Sequence, residues 1–234
     1  MLLFAIVIMG AAVQRLAGAG FALVAVPALV LLLGAAEGVR LANGAALVIS
    51  AAGLALTWRS VRPAAMLPLV AAAAAAVPAG AWFARTLPEP ALLSVTGVLV
   101  SAAALLVMGG VRVRSLRGRR GALAAGAASG FLNAAAGVGG PAISLYAVNA
   151  GWTVRQFVPH AQFYGVVVNA LSLAAKGLPR LTGPTWALVG AGIAAGLVIG
   201  AVLASRVPEG PARRIVLALA LAGGLTTLAK GLWS

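Results

Sequence analysis

Two short glycine-rich groups are the features of this sequence whose residue types and spacing could bind a ligand. The first contains Gly18 and Gly20, and the second contains Gly137, Gly139 and Gly140. Glycine lets a backbone leave the helical path and approach a ligand closely. A helix that begins after such a break presents unpaired N–H groups and the positive end of its dipole, which can bind an anion without a charged side chain. The alternative is that these small residues only let helices pack tightly.

Four polar side chains lie beside these groups or at matching positions after them. Arg15 precedes the first group, and a charge within an apolar segment is costly and usually functional. Its guanidinium fits an oxyanion through paired hydrogen bonds, unless the side chain instead reaches the membrane surface. Asn133 precedes the second group, while Asn43 and Gln162 follow the first and the second. Their amides can donate to an anion or hold neighbouring helices together.

Titratable side chains are scarce, which limits the chemistry that the sequence can support. His160 is the only histidine; it could carry a proton near neutral pH, or it could lie at the membrane surface without a role. The only carboxylates, Glu37, Glu89 and Glu209, fall in predicted loops. Because proton and sodium couplers are usually carboxylates within the membrane, a carboxylate relay and an intramembrane acid–base enzyme are disfavoured. With no cysteine and no aspartate, we expect no metal site and no cofactor.

The elements that must position these residues are hydrophobic segments long enough to cross a membrane. Of the 234 residues, 62% are hydrophobic and 9% are charged, against about 25% charged in a soluble domain, and the mean hydropathy is +1.07. The lipid bilayer must therefore be the solvent of this chain. We predict an all-α polytopic membrane helix bundle without a soluble catalytic module. About eight hydrophobic segments are predicted, at residues 1–34, 38–57, 63–84, 90–110, 121–149, 156–175, 183–204 and 211–232.

A run of arginines lies at the middle of the chain, in residues 111–120. Positive residues collect in cytoplasmic loops, so we expect this linker to be cytoplasmic and the protein to be a multi-pass protein of the cell inner membrane. The basic residues behind the net charge of +14 lie between hydrophobic segments rather than along one stripe, so we expect no nucleic-acid partner. The first segment lacks a positive start, which favours a retained membrane segment over a cleaved signal peptide.

The sequences on either side of this linker are similar. An offset of 119 residues superimposes the two glycine groups and also pairs Asn43 with Gln162. Internal duplication is a common plan of transporters. We therefore predict a first membrane repeat at residues 1–110 and a second at residues 121–234.

The first segment of each half is predicted to be broken or re-entrant. Residues 1–34 would form a helix of about 50 Å, against a hydrocarbon core of about 30 Å. Non-helical backbone at this depth survives only where it is buried in protein or lines a wet cavity. If every segment crosses, and Arg15 is left out of the count here and below, ten positive residues lie on the linker side and six on the other. If the broken segments dip in and return, the numbers are eleven and five, and the halves are inverted.

The paired glycine motifs resemble those of the TauE/SafE family of exporters of sulfite and small organosulfonates. The family pattern is a repeated glycine-rich turn followed by an apolar stretch with proline. Here it stands as Gly18-Ala19-Gly20-Phe21 with Pro27, and as Gly137-Val138-Gly139-Gly140-Pro141. The first motif has Phe21 where a glycine is common, and the second has its proline directly after the glycines. The resemblance covers nearly the whole chain, including the halves and the basic linker.

This resemblance and the paired breaks together predict a transporter, and not an enzyme, for a small anionic substrate. The resemblance implies sulfite or an organosulfonate, bound between the halves. A membrane potential, negative inside, would drive an anion outward by about 2.3 kcal/mol per charge per 100 mV, so no coupling ion is needed. Two alternatives stay open: a transporter of another small metabolite, and a membrane-embedded enzyme acting on lipid-linked phosphates. Abundant small-residue helix faces would also allow a homodimer.

Overall fold

The computed structural model describes residues 1–17, 20–110, 117–204, 206 and 209–234, and every regular element in them is helical. A single 3₁₀ turn, Trp58–Ser60, follows the third α-helix. The α-helices are α1 (Leu2–Ala17), α2 (Phe21–Leu33), α3 (Ala35–Thr57), α4 (Pro63–Thr86), α5 (Glu89–Met108), α6 (Gly118–Ala136), α7 (Gly140–Asn149), α8 (Val154–Lys176), α9 (Gly183–Ala204) and α10 (Glu209–Trp233).

Local sequence signals explain where several of these helices begin and end. Pro63 opens α4, where a missing N–H does no harm. At α8, Thr153 and Gln156 form a capping box that satisfies two N–H groups. The chain leaves α2 at Gly34 and leaves α8 at Gly177, both with positive φ.

Five helical spans in the described residues are long and apolar enough to cross a membrane. Large apolar side chains such as Leu56, Trp82 and Ile215 are exposed on the bundle, as expected of a surface that faces lipid. The protein is therefore a helical membrane bundle, as the composition predicts. The crossing of about eight segments stays a prediction. The five spans are Ala35–Ser60, Pro63–Thr86, Glu89–Met108, Gly183–Ala204 and Arg214–Trp233.

Both segments that contain a glycine group are interrupted there. α1 ends at Ala17 and α2 begins at Phe21, while α6 ends at Ala136 and α7 begins at Gly140. Gly137 has φ 73° and ψ 8°, a left-handed conformation that closes α6 and that glycine adopts without a steric clash. Each of these segments therefore contains a pair of shorter helices, and in the second segment a glycine-rich turn joins them.

Glycines let the helices on either side of the linker approach closely. α1 packs along α9, where a Cβ on Gly196 would lie 2.5 Å from the backbone oxygen of Ile8. α4 packs along α6 in the same way, with Gly126 against the backbone oxygen of Leu69. α5 pairs with α10, and α3 pairs with α8. Because each pair joins a helix from before the linker to one from after it, the two halves interlock.

α3 and α8 run antiparallel, and the contacts beyond them define the two ends of the bundle. Just after α3, the Arg62 N–H donates to His160 Nε2 near the start of α8, over 3.2 Å. Just after α8, the Arg180 N–H donates to Glu37 Oε2 near the start of α3, over 2.9 Å. We call the first the linker end, since α5 finishes and α6 begins there, and the second the far end.

Each broken segment begins and finishes at the same end of the bundle. α1 runs parallel to α9 from the far end, with Val7 against Gly192 and Ala12 against Gly200. α2 returns to the far end, where the chain that follows it packs against Glu89. α6 runs parallel to α4 from the linker end, and α7 leads back to the start of α8 at that end. The two broken segments thus enter from opposite ends.

Candidate functional site

A line of buried polar side chains follows the contact between α3 and α8. Polar groups inside a membrane protein are costly unless they find partners, so such a cluster marks a functional or strongly structural place. The residues of this cluster, which we call the polar seam, are between 0% and 7% exposed. They are Gln14, Asn43, Ser50, Asn133, Gln162, Asn169 and Ser172.

Amide side chains tie the two broken helices to α3 and α8. From α1, Gln14 Nε2 donates to Ser50 Oγ over 3.2 Å. From α6, Asn133 Nδ2 donates to Asn169 Oδ1 over 3.1 Å and to Ser172 Oγ over 3.0 Å. Each of these amides stands three residues before its helix ends, at Ala17 or Ala136. The polar seam therefore holds the last turn of each helix that leads into a break.

These two amide contacts are one arrangement made twice. Gln14 and Asn133 are 119 residues apart, and so are Ser50 and Asn169. The helices follow the same offset: α8 begins 119 residues after α3 begins, and it ends 119 residues after α3 ends. A buried hydrogen bond that recurs at one offset is what an internal duplication predicts.

Asn43 connects the polar seam to the second break. Its Nδ2 lies 3.4 Å from the backbone oxygen of Asn133, which also accepts the Gly137 N–H. A Cβ on Gly137 would lie 3.6 Å from Asn43 Oδ1. This oxygen is buried and has no donor among the described residues, a state that is unfavourable by about 1–3 kcal/mol. A protonated oxyanion, or another ligand with an O–H or N–H group, could donate to this oxygen.

The second break places a tightly packed glycine beside an open one. A Cβ on Gly139 would lie 2.7 Å from the Ser129 backbone oxygen and 2.8 Å from Asn133 Cβ. Ser129 Oγ also donates to the Gly139 oxygen over 2.8 Å. Gly140 is exposed, and a Cβ there would meet nothing within 4 Å. Gly139 is therefore needed for packing, while the start of α7, with its unpaired N–H groups, is open to a ligand.

The first break is described in part. Gly18 lies outside the described residues, and Gly20, with φ 143°, directly precedes α2. Arg15 is exposed, and a Cβ on Gly200 of α9 would lie 2.7 Å from its Cβ. Its neighbour Gln14 lies in the polar seam instead, because successive helical residues point about 100° apart. The position of Arg15 therefore favours packing against α9, and its contact with an anion stays a prediction.

Gln162 and His160 lie on α8 toward the linker end. The Gln162 side chain is buried and packs over Gly53 of α3, where a Cβ would lie 2.8 Å from Gln162 Cδ. His160 Nε2 accepts the Arg62 N–H, so its other nitrogen, Nδ1, carries the proton and faces the Gln156 backbone oxygen. The Nε2 contact holds α8 to the chain between α3 and α4, and the Nδ1 contact lies within α8 itself. This gives His160 a structural role, and proton coupling by it stays a prediction.

Sequence reasoning selects Asn133 but misses Gln14 and Ser50. The signal that could have found them is the offset between the halves, which pairs Gln14 with Asn133 and Ser50 with Asn169. Polar residues at matching positions of apolar helices indicate a shared function more strongly than any one of them alone.

Comparison with known protein families assigns the chain to one of them. A helical membrane bundle whose polar interior lies beside broken helices has the plan of a transporter. The family model described as sulfite exporter TauE/SafE matches residues 2–227, nearly the whole chain. The chain belongs to this family of membrane transporters that export sulfur anions, which confirms the resemblance of its glycine motifs. No curated protein and no solved structure matches it.

Proposed function

We propose that the protein exports a small sulfur oxyanion, with sulfite as the first candidate, through a site formed by the polar seam and the two helix breaks. The observation that carries the proposal is the duplicated amide contact, Gln14 to Ser50 and Asn133 to Asn169, beside both breaks. Transporters with repeated halves bind their substrates at broken helices near the middle of the membrane. Membership of the sulfite exporter family supports the substrate class.

In this proposal the halves form an inverted repeat that opens alternately to either end. α1–α5 and α6–α10 correspond at one offset within a few residues, and the broken segments enter from opposite ends. Such halves can exchange conformations, which moves access from one end to the other. The two halves differ in this structure at corresponding helix pairs. α2 packs on α10, with Pro27 against Gly223, whereas a cavity of about 240 Å³ lies between the matching helices α7 and α5. This difference supports two exchangeable conformations.

The proposed site offers hydrogen-bond donors without an acid. The first N–H groups of α2 and α7 would donate to an oxyanion, as helix starts do in other anion sites. Amides of the polar seam would add donors by exchanging a present protein acceptor for the anion. The described residues place no carboxylate in the polar seam, since Glu37 and Glu89 lie at the far end. Neutral donors bind an anion weakly enough to release it, which transport requires.

The charge distribution supports export as the direction. With re-entrant segments, and with Arg15 left out, the sequence assigns eleven positive residues to the linker side and five to the other side, so the positive-inside rule favours a cytoplasmic linker end. A potential of 100 mV, negative inside, then drives each negative charge outward by about 2.3 kcal/mol, roughly a 50-fold concentration ratio. Export of an anion needs no further coupling ion.

Sulfite efflux from proteoliposomes tests this proposal. Asn133→Ala removes both donors of the α6 amide, and we expect it to lower the initial rate about tenfold or more. Asn149→Ala is the matched control, because it changes a buried asparagine whose amide donates within its own helix, to Leu145. Equal rates in Asn133→Ala and the wild type would remove the polar seam from the path. If the wild type moves no sulfur anion, the proposed substrate class is wrong.

A further inference from the structure

A small cavity at the far end of the bundle gathers three cations from distant parts of the chain. Arg40 comes from the first turns of α3, Arg85 from the end of α4 and Lys176 from the end of α8. Thr96 of α5 also lines this cavity. It encloses about 40 Å³, which is room for about three water molecules at roughly 10–15 Å³ each. A space of this size and charge suits a small anion.

The three cations differ in how well they are paired. Arg40 Nη1 lies 2.6 Å from Glu37 Oε1, and Arg85 donates to a backbone oxygen at the end of α8. Lys176 Nζ is buried and has no hydrogen-bond acceptor among the described residues. The two carboxylates at this end are engaged with backbone N–H groups: Glu37 with the one after α8, and Glu89 with the one that begins α3. Lys176 is therefore the cation that lacks a partner.

A purely structural reading accounts for only part of this cluster. Cations in the last turn of a helix commonly stabilise its dipole and its last carbonyl groups. Arg85 fits that description, because it lies in the last turn of α4 and donates to α8. Lys176 ends α8 but donates to no carbonyl group of the described residues. A buried ammonium without an acceptor is strongly unfavourable, so Lys176 either gives up its proton or takes an anion as its partner. Arg40 and Arg85 line the same cavity and stay charged in both cases, so the cavity keeps its attraction for an anion.

The cluster also has no counterpart at the matching positions of the other half. Moving its three cations by the 119-residue offset between the halves leads to uncharged residues. The three cations are therefore not part of the pattern that the two halves share. They give the far end a positive cavity that the matching positions do not form. The residues at the matching positions are Pro159, Ala204 and Thr57.

The cavity lies directly beside the proposed transport path. Ala134 and Ala135 line it, and they stand between Asn133 of the polar seam and the end of α6. We propose that Arg40, Arg85 and Lys176 form an anion-binding site at the far end, which takes a small inorganic oxyanion in preference to a longer organosulfonate. This inference rests on the proposed function, because the far end is where an exported anion would leave.

Equilibrium binding tests this site independently of transport. The full-length protein in detergent is titrated with sodium sulfite at constant ionic strength, and its thermal unfolding midpoint is followed by tryptophan fluorescence. A ligand that binds the folded state raises this midpoint. We expect Lys176→Met to weaken sulfite binding about tenfold or more, and Lys176→Arg to keep most of it. Lys230→Met is the matched control, because Lys230 is exposed at the same end and donates to Leu31.

Three further readouts decide the outcome. In the absence of anion, the unfolding midpoint of Lys176→Met should be no lower than that of the wild type, because the substitution removes a buried unpaired charge. A lower midpoint would contradict the argument that Lys176 lacks a partner. Equal sulfite affinity in the wild type, Lys176→Met and Lys230→Met would overturn the site. Butanesulfonate should bind the wild type at least about tenfold more weakly than sulfite, since the cavity has no room for its chain; equal affinity would refute the size preference.

Vesicle transport separates this inference from the proposed function. If the wild type exports sulfite and Lys176→Met does so with an unchanged KM, the cation site is wrong and the proposed function stands. If sulfite binding depends on Lys176 but the wild type exports no sulfur anion, the proposed function is wrong and the site stands.

Discussion

Replacing Asn133 by alanine, alone and together with Asn169, tests whether the polar seam holds the broken helices in place. Asn133 Nδ2 donates to Asn169 Oδ1 over 3.1 Å and to Ser172 Oγ over 3.0 Å. All three residues are buried, so water cannot replace the lost amide freely. The matching contact of the first half, Gln14 to Ser50, provides a second and independent pair for the same test.

The size of the effect follows from the number of bonds removed. A buried hydrogen bond contributes about 0.5–1.5 kcal/mol, so Asn133→Ala, which loses two, should lower the free energy of unfolding by about 1–3 kcal/mol. The coupling energy between Asn133 and Asn169 should be about 0.6 kcal/mol and no more than about 1.7 kcal/mol, as between other membrane helices. Gln14 and Ser50 should give a similar coupling energy, because they make the corresponding contact.

Double-mutant cycles in mixed micelles measure these coupling energies. Each cycle needs the free energy of unfolding of the wild type, the two single variants and the double variant. A cycle between Asn133 and Asn149 is the control and should be additive within about 0.5 kcal/mol, because no hydrogen bond joins them. Zero coupling in both test cycles would refute the polar seam as an interaction, and coupling in one cycle only would refute its duplication.

Three further predictions concern the packed glycine, the histidine and the orientation. Gly139→Ala should destabilise the protein by about 1–3 kcal/mol, because its Cβ would lie 2.7 Å from a backbone oxygen of α6. Gly140→Ala is the matched control for stability and should unfold like the wild type, because its Cβ would meet nothing within 4 Å. His160→Phe should lower the free energy of unfolding by about 1–3 kcal/mol, because the Arg62 backbone N–H loses its acceptor. The same variant should leave the pH dependence of sulfite efflux unchanged. A changed pH dependence would favour proton coupling by His160. Because the chain has no cysteine, an impermeant thiol reagent outside intact cells should label Arg180→Cys and spare Arg119→Cys, and the reverse result would contradict the orientation.

The breaks could be predicted from the sequence because they depend on local properties. A helix through residues 1–34 is longer than a bilayer is thick, and glycine weakens a helix by about 1 kcal/mol relative to alanine. The structure accordingly divides these residues into α1 and α2. The buried amide Asn133 could also be selected, because it stands next to a glycine group in an otherwise apolar stretch.

The path of the broken segments could not be predicted, because the positive-inside counts for the two topologies are close. The structure places Arg40, Arg85 and Lys176 around one cavity. A topology in which every segment crosses would put Lys176 on the opposite side from the two arginines. The shared cavity therefore favours the re-entrant arrangement, in which all three lie at the far end.

The sequence of α1 alone did not identify its interior polar residue. Gln14 and Arg15 are neighbours, and every other residue of α1 is apolar, so the pattern does not show which side faces the interior. Arg15 carries the stronger chemical signal for anion binding, yet packing of α1 on α9 turns it outward and places Gln14 against Ser50. The choice between these neighbours depends on parts of the chain outside α1: the packing of α9, and the 119-residue offset that pairs Gln14 with Asn133.

Sulfite efflux from proteoliposomes at several clamped membrane potentials tests the central claim most directly. We expect efflux from the cytoplasmic side to accelerate as that side becomes more negative, without any proton or sodium gradient, because the proposed site would bind an anion and the described residues place no carboxylate in it for coupling. The absence of sulfite and organosulfonate efflux at every potential would contradict the claim.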